Sequence, residues 1–320
     1  MAQLPSPGSL IVTFYGAYGR THAEGGTVPV AALIRLLGAL GVDAPSVRSA
    51  VSRLKRRGLL VAERAGSRSA GYAPSAAARQ LLEDGDRRIY DRPHPAGDWL
   101  LAVFSVPERE RQRRHVLRSR LARLGFGNAA PGVWVAPSHL EEETRHVLQR
   151  LGLTAYVDLF RGGHAGFEPT AEAVARWWDL PALAERHRAF LAEHEPVLRA
   201  WERRRTEPPE PAPVPPEAPP VPPEAAPVPP EAPPVPPEAP PVPPEAAYRD
   251  YLLALDAWRR LPYADPGLPP AVLPADWPGE RSAQVFAALD ALLRAPGAAF
   301  VREVLHSAGR PARTPDRRGS

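Results

Sequence analysis

Asp43-Ala44-Pro45-Ser46-Val47-Arg48-Ser49-Ala50-Val51-Ser52-Arg53-Leu54-Lys55-Arg56-Arg57-Gly58 is the stretch on which the fold turns. Asp43 and Pro45 make a helix start: a carboxylate can take the first free amides, and proline has its φ set for the first turn. Val47, Ala50, Val51 and Leu54 follow at helical spacing, and Gly58 supplies the stop. The other side presents Ser46, Arg48, Ser49, Ser52, Arg53, Lys55 and Arg56. That is the distribution a DNA-recognition helix needs. Arg forks reach guanine O6 and N7, and small hydroxyls let the helix lie near the groove floor. Ser46, Arg48, Ser49 and Arg53 are the candidates for base reading, with Lys55, Arg56 and Arg57 holding the backbone. On an isolated helix the same residues would be an ordinary solvated face.

The flanks supply the context. Ser9 to Tyr18 is an apolar, aromatic-rich run that suits a buried helix. Pro29 opens a second helical pattern with Val30, Leu33, Ile34, Leu37 and Leu40 on one face, closing at Gly41. After Gly58, Leu59–Arg64 and Ser69–Ala73 read as short strands around the turn Ala65-Gly66-Ser67-Arg68. Three helices and then a hairpin form the order of a winged helix-turn-helix, and Arg64 and Arg68 flank or tip the wing, where a guanidinium can enter a narrow minor groove. Residues 1–79 carry ten Lys and Arg against three acids.

Beyond a charged bridge, Glu83–Arg92, the period changes. Trp99–Phe104 reads as a strand, Glu108–Leu124 as a basic amphipathic helix, Gly132–Ala136 as a strand, Leu140–Leu151 as a helix and Ala155–Phe160 as a strand, an order that fits a ferredoxin-like α+β domain. Thr170–Arg205, Tyr248–Leu261 and Arg281–Leu305 are helical, with Leu261–Gly279 ordered only by packing against them. Trp177 and Trp178 fit a core role. The expected fold class is thus α+β multidomain: a winged helix-turn-helix over residues 1–92, a ferredoxin-like middle domain over 93–168, and a helical C-terminal regulatory region over 169–206 and 246–306. A Pro-rich spacer, 207–245, interrupts that region, and 307–320 form a disordered tail.

The spacer repeats every seven residues, with Val214, Val221, Val228, Val235 and Val242 each opening a unit, and it holds about half of the 43 prolines. Proline removes donors and fixes φ, so neither helix nor sheet is available. As polyproline II it would span roughly 120 Å. Its seven glutamates mask a basic remainder: without them 40 Lys and Arg face 29 Asp and Glu, where the whole chain is only +4. Such a balance suits a phosphate-bearing partner. The lack of cysteine excludes disulfides, thiolate zinc sites and Cys nucleophiles. No stretch reads as spanning a bilayer and the start lacks a signal-peptide pattern, which points to a cytoplasmic protein.

Residues 9–90, with Val47–Leu54 followed by Gly58-Leu59-Leu60 and Gly71-Tyr72, resemble the PaaX-like family of phenylacetic-acid degradation repressors. The resemblance continues through Asp98–Phe160. It is most specific in Leu261-Pro262-Tyr263-Ala264-Asp265-Pro266-Gly267-Leu268-Pro269-Pro270 and Leu273-Pro274-Ala275-Asp276-Trp277-Pro278-Gly279. It implies a homodimeric repressor of an aromatic or acyl catabolic operon, such as one for phenylacetate catabolism, bound to an inverted-repeat operator and released by a coenzyme A thioester.

An enzyme is the rival reading. The middle domain also looks like the small CRISPR-associated metal-dependent nuclease, which needs a carboxylate just after its first strand. Ser105 stands there instead. Glu108 and Glu110 open a helix, where acids complement the dipole. His139/His146 and His187/His194, each seven apart, read as exposed or capping histidines rather than zinc ligands. No nucleophile or cofactor motif is present. A scaffold built on the proline repeat is the remaining class, and it leaves the Asp43–Gly58 pattern unexplained.

Overall fold

In the computed structural model, which describes residues 4–65, 69–90, 97–206 and 242–309, the chain opens at Ser6. The Ser6 hydroxyl accepts from the Ser9 amide at 3.3 Å and Pro7 follows in the first turn, starting α1 (Pro7–Phe14). The helix continues through a π turn, Tyr15–Gly19, to His22. Gly19 is required there, because a Cβ would lie 2.6 Å from the Tyr15 ring. A short strand β1 (Val28–Pro29) leads into α2 (Val30–Gly38) and α3 (Ala44–Arg56). Then come β2 (Leu60–Ala65), β3 (Ser69–Pro74) and α4 (Ala76–Tyr90). The three strands form an antiparallel sheet in the order β1-β3-β2, with Tyr72 opposite both Val28 and Ala62.

Two expectations change in this part. The buried face of α2 is Ala32, Leu33, Leu36 and Leu37, while Val30 and Ile34 are only half-buried. Leu36 is buried because α1, α3 (Ala44–Arg56) and the C-terminal helix Gly279–Gly309 all pack against α2. The bridge expected at Glu83–Arg92 is helix as far as Tyr90, since its charges face the solvent or pair, leaving a sound helical face beneath.

The middle part is β4 (Trp99–Phe104), α5 (Arg111–Arg123), β5 (Gly127–Ala130), β6 (Val133–Pro137), α6 (Glu141–Arg150) and β7 (Val157–Gly162). It is a β-α-β-β-α-β unit with an antiparallel sheet ordered β5-β6-β4-β7. The sequence pattern lacked β5. Alternation on β4 divides the sheet's two faces: Leu100 and Ala102 pack with Leu117, Leu121 and Leu148 beneath the helices, whereas Trp99 packs with Val135, Val174, Trp178, Leu183 and Leu268. That second face is covered by α7 (Thr170–Trp177), the start of α8 (Leu180–Thr206) and the Pro-rich loop carrying Leu268. The Trp178 indole donates to the Gly125 carbonyl at 2.9 Å, in keeping with a core role.

Two long helices complete the chain, α9 (Pro244–Trp258) and α10 (Gly279–Gly309). Residues 207–241 and 310–320 of the expected spacer and tail lie outside the described residues. The last residues of the spacer are structured, since Val242 packs against the core and Pro244 opens α9, where a missing amide costs nothing. By length and composition α10 could cross a bilayer, contrary to expectation, over a window of mean hydropathy 1.3. Its apolar residues have another explanation: Val285, Leu289, Leu293, Val301 and Val304 are fully buried in the protein.

They belong to a core shared by both ends of the chain. Leu10, Phe14, Leu33, Val47 and Leu54 from the first helices pack in one cluster with Phe190, Trp201, Tyr248, Trp258 and the α10 residues. Polar pins cross this junction. Asp256, fully buried, accepts from Ser9 Oγ at 2.7 Å and Thr13 Oγ1 at 2.6 Å on α1, and pairs with Arg259 at 3.2 Å and Arg260 at 2.5 Å. Burial pushes its carboxyl up, but Arg259, the two hydroxyls and Arg260 outweigh this and hold it below the ordinary Asp value. The contribution of this network is therefore complete above the ordinary Asp pKa and is lost as pH falls through the depressed one. Urea midpoints measured from about pH 6 to pH 3 should fall for the wild type and fall less for Asp256→Asn. Equal acid limbs in the two proteins would remove Asp256 from the account.

A second pin ties in the middle unit. Arg88 of α4, almost fully buried, donates to Glu143 Oε2 at 2.6 Å, Leu124 O at 3.0 Å and Pro262 O at 3.3 Å, and it lies 4.9 Å from the Tyr263 ring centre.

Candidate nucleic-acid interface

The site is built on α3. Asp43 precedes it in extended conformation, accepting from the Ser46 amide and hydroxyl, each at 2.8 Å. The amide bond, with the hydroxyl's help, holds the Asp43 carboxyl below its usual value. The capping pattern read from the sequence is thus present. Val47, Ala50, Val51 and Leu54 are buried as the spacing predicts, and Leu10 and Phe14 of α1 share their cluster. Gly58, at φ 68°, ends the helix in a conformation that L side chains disfavour.

Seven exposed side chains cover the outer face: Arg48, Ser49, Ser52, Arg53, Lys55, Arg56 and Arg57. Ser46 is half-buried with its hydroxyl committed to Asp43, so its first role is capping. Arg53 Nη1 donates to Ser49 Oγ at 2.6 Å, placing both on one stripe. Among the described residues, Arg48, Arg53, Lys55, Arg56 and Arg57 form no ion pair, so their charge is turned to solvent uncompensated.

The hairpin β2–β3 follows α3 directly, and Leu59 N donating to Leu54 O at 3.0 Å fixes the exit. Thr27 Oγ1 donates to Glu63 Oε2 at 2.9 Å and Tyr15 Oη to Tyr72 O at 2.5 Å, binding the hairpin to α1 and β1. Arg64 is exposed on β2, again without an ion pair. Arg68 and its turn lie outside the described residues.

The other candidates fare differently. Ser105 is exposed at the end of β4. Glu108 pairs with Arg114 at 3.0 Å, and Glu110 accepts from Tyr156 Oη at 2.5 Å and pairs with Arg113 at 3.0 Å, so both nearby acids are engaged. No group of three or more His, Asp and Glu placed to hold a metal occurs among the described residues. Of the four histidines expected to be exposed or capping, His146 alone is exposed; His139 is half-buried, and His187 and His194 are buried. His187 Nε2 lies 3.0 Å from Asp265 Oδ2, a partner 78 positions away that helical spacing cannot foresee. Sequence reasoning also missed Arg88, which nothing local distinguishes from the neighbouring exposed Arg87.

Residues 6–78 match the family model described as PaaX-like protein, 92–174 that of the PaaX protein central Cas2-like domain, and 235–303 that of the PaaX-like protein C-terminal domain. The chain belongs to the PaaX-like family. It is similar to the transcriptional repressor PaaX of Escherichia coli (strain K12), with 26% identity over 301 residues that cover 92% of this chain and 83% of that protein. Among solved structures, the uncharacterized protein Rv0674 from Mycobacterium tuberculosis superposes with a TM-score of 0.54 over 95% of this chain and 100% of that one; at 19% identity the likeness is one of fold.

Proposed function

We propose that this chain is a sequence-specific DNA-binding transcriptional repressor and not an enzyme. The observation that carries the reading is α3: a capped helix with one apolar face sunk in the core and the other a stripe of unpaired cations and small hydroxyls. The similarity to a named transcriptional repressor agrees with it. In this reading residues 1–92 form a winged helix-turn-helix, 93–168 a ferredoxin-like domain, and 169–206 with 246–306 a helical regulatory region. Arg48, Ser49, Ser52 and Arg53 face bases, Lys55 and Arg56 face phosphates, and Arg64 and Arg68 enter the minor groove beside the wing. Ser46 orients the helix start.

A homodimer presents two such helices to major grooves about 34–36 Å apart, or a multiple of that, on an inverted repeat. An acyl-coenzyme A effector releases the repressor from a catabolic operon, and the location is cytoplasmic. The test is fluorescence-anisotropy binding to the DNA upstream of the chain's own gene, against random competitor, at two salt concentrations. Arg48→Ala or Arg53→Ala should each cost about 1–3 kcal/mol and relax specificity at one base position. A uniform loss over all sequences would assign these arginines to phosphates, and no binding even at low salt would end the proposal.

A further inference from the structure

A cavity of about 780 Å³ opens where α1, α4, α5, α6 and α8 meet the stretch following α9. Its volume falls in the range of sites that hold cofactor-sized ligands. Val12, Leu82, Ile89, Val147, Leu151 and Leu255 give it apolar walls. Leu81, 54% exposed, stands at the lining with nothing covering it.

Charge in the cavity is one-sided once existing pairs are set aside. The acids Asp84, Asp86 and Glu143 are committed to Arg150, Arg20 and Arg88 at 3.3, 2.7 and 2.6 Å. Arg259 and Arg260 are held by Asp256. Arg120, Arg123 and Arg186 remain, each lining the cavity and none in an ion pair or hydrogen bond among the described residues. Guanidinium forks beside an apolar chamber suit a ligand with phosphate groups at one end and an apolar group at the other.

We infer that this three-way cavity is the effector site, that it takes a ligand with phosphate groups at one end and an apolar group at the other, and that occupancy acts on DNA binding through α1. The assignment rests on the effector reading above and adds the place and the route. Val12, Thr13 and Gly16 of α1 and its π turn line one wall. Tyr15, between them, holds the hairpin through the Tyr72 carbonyl, and Phe14 packs in the cluster that seats α3. A ligand wedged between α1 and the middle unit therefore bears on both elements that face DNA. The coupling must be reciprocal, so operator DNA should weaken ligand binding by the same factor.

The experiment uses the full chain, with benzoyl- and hexanoyl-coenzyme A, coenzyme A itself, and the free acids as calorimetric titrants. One thioester should bind at least tenfold more tightly than coenzyme A or its own acid. The pair Arg123→Glu and Arg186→Glu should weaken that binding at least tenfold, leaving the thermal midpoint and the ligand-free operator affinity within error. Both arginines are exposed and unpaired, so neither change threatens folding. Wild-type thioester affinity in the double variant would overturn the location. Failure of every thioester to bind the wild type would overturn the ligand class. Thioester binding without any operator binding would sink the repressor reading and leave the site standing.

Discussion

Trp258→Ala is expected to lower unfolding free energy by about 3–5 kcal/mol. Trp258 is 1% exposed, and its ring stacks on Phe286 of α10 with centroids 4.9 Å apart and planes 13° from parallel. Phe190 of α8 lies 5.5 Å away, and the indole donates to the Ile89 carbonyl of α4 at 3.0 Å. One side chain therefore joins four helices. Truncation leaves a void among aromatic rings that helices of this length cannot close around, together with a buried carbonyl lacking its donor. Trp258→Phe keeps most of the packing and loses the hydrogen bond, so its cost should be about 1–2 kcal/mol. Urea denaturation followed by circular dichroism gives both values. Equal losses in the two variants would mean that the hydrogen bond, and not the packing, carries the effect.

Arg88→Ala comes next, at about 3 kcal/mol. Removing one partner of a buried ion pair strands the other, and Glu143, 27% exposed, recovers only part of its hydration. The Leu124 and Pro262 carbonyls also lose their donor. Arg88→Lys restores the charge without the planar fork that reaches three acceptors at once, so it should regain less than half of the loss. Because Arg88 fastens α4 to the end of α5, to α6 and to the short helix Leu261–Ala264, proteolysis within α4 should accelerate in Arg88→Ala. Unchanged cleavage would show that the middle unit is held by its apolar contacts alone.

What could be read in the sequence divides by range. The signals that fix α3 lie within sixteen residues: Asp43 caps, Val47 to Leu54 repeat at helical spacing, and Gly58 stops. Its outward face was equally legible, because exposure follows from the same period. β5 was not, since Gly127-Asn128-Ala129-Ala130 has no β-branched or aromatic residue and owes its conformation to pairing with β6. Gly127 is small because the Trp178 ring would lie 2.8 Å from any Cβ there, a contact made by residues fifty positions downstream. Likewise, His187 is buried by Asp265 and Arg88 by Glu143, partners that periodicity cannot name. The length and composition of α10 do not decide its place by themselves. A long apolar helix meets the composition of a membrane span and also that of a helix encased by protein, and only its neighbours decide.

The core that spans both ends of the chain has a consequence for synthesis. Leu54 and Val304 are made some 250 residues apart, a delay of about 12–50 s at ordinary elongation rates. Until α10 leaves the ribosome, α1, α2 and α3 lack the wall they rest on. A nascent or prematurely terminated chain would thus carry the whole cationic face of α3 and still be unable to hold it in place, so that only finished molecules present it.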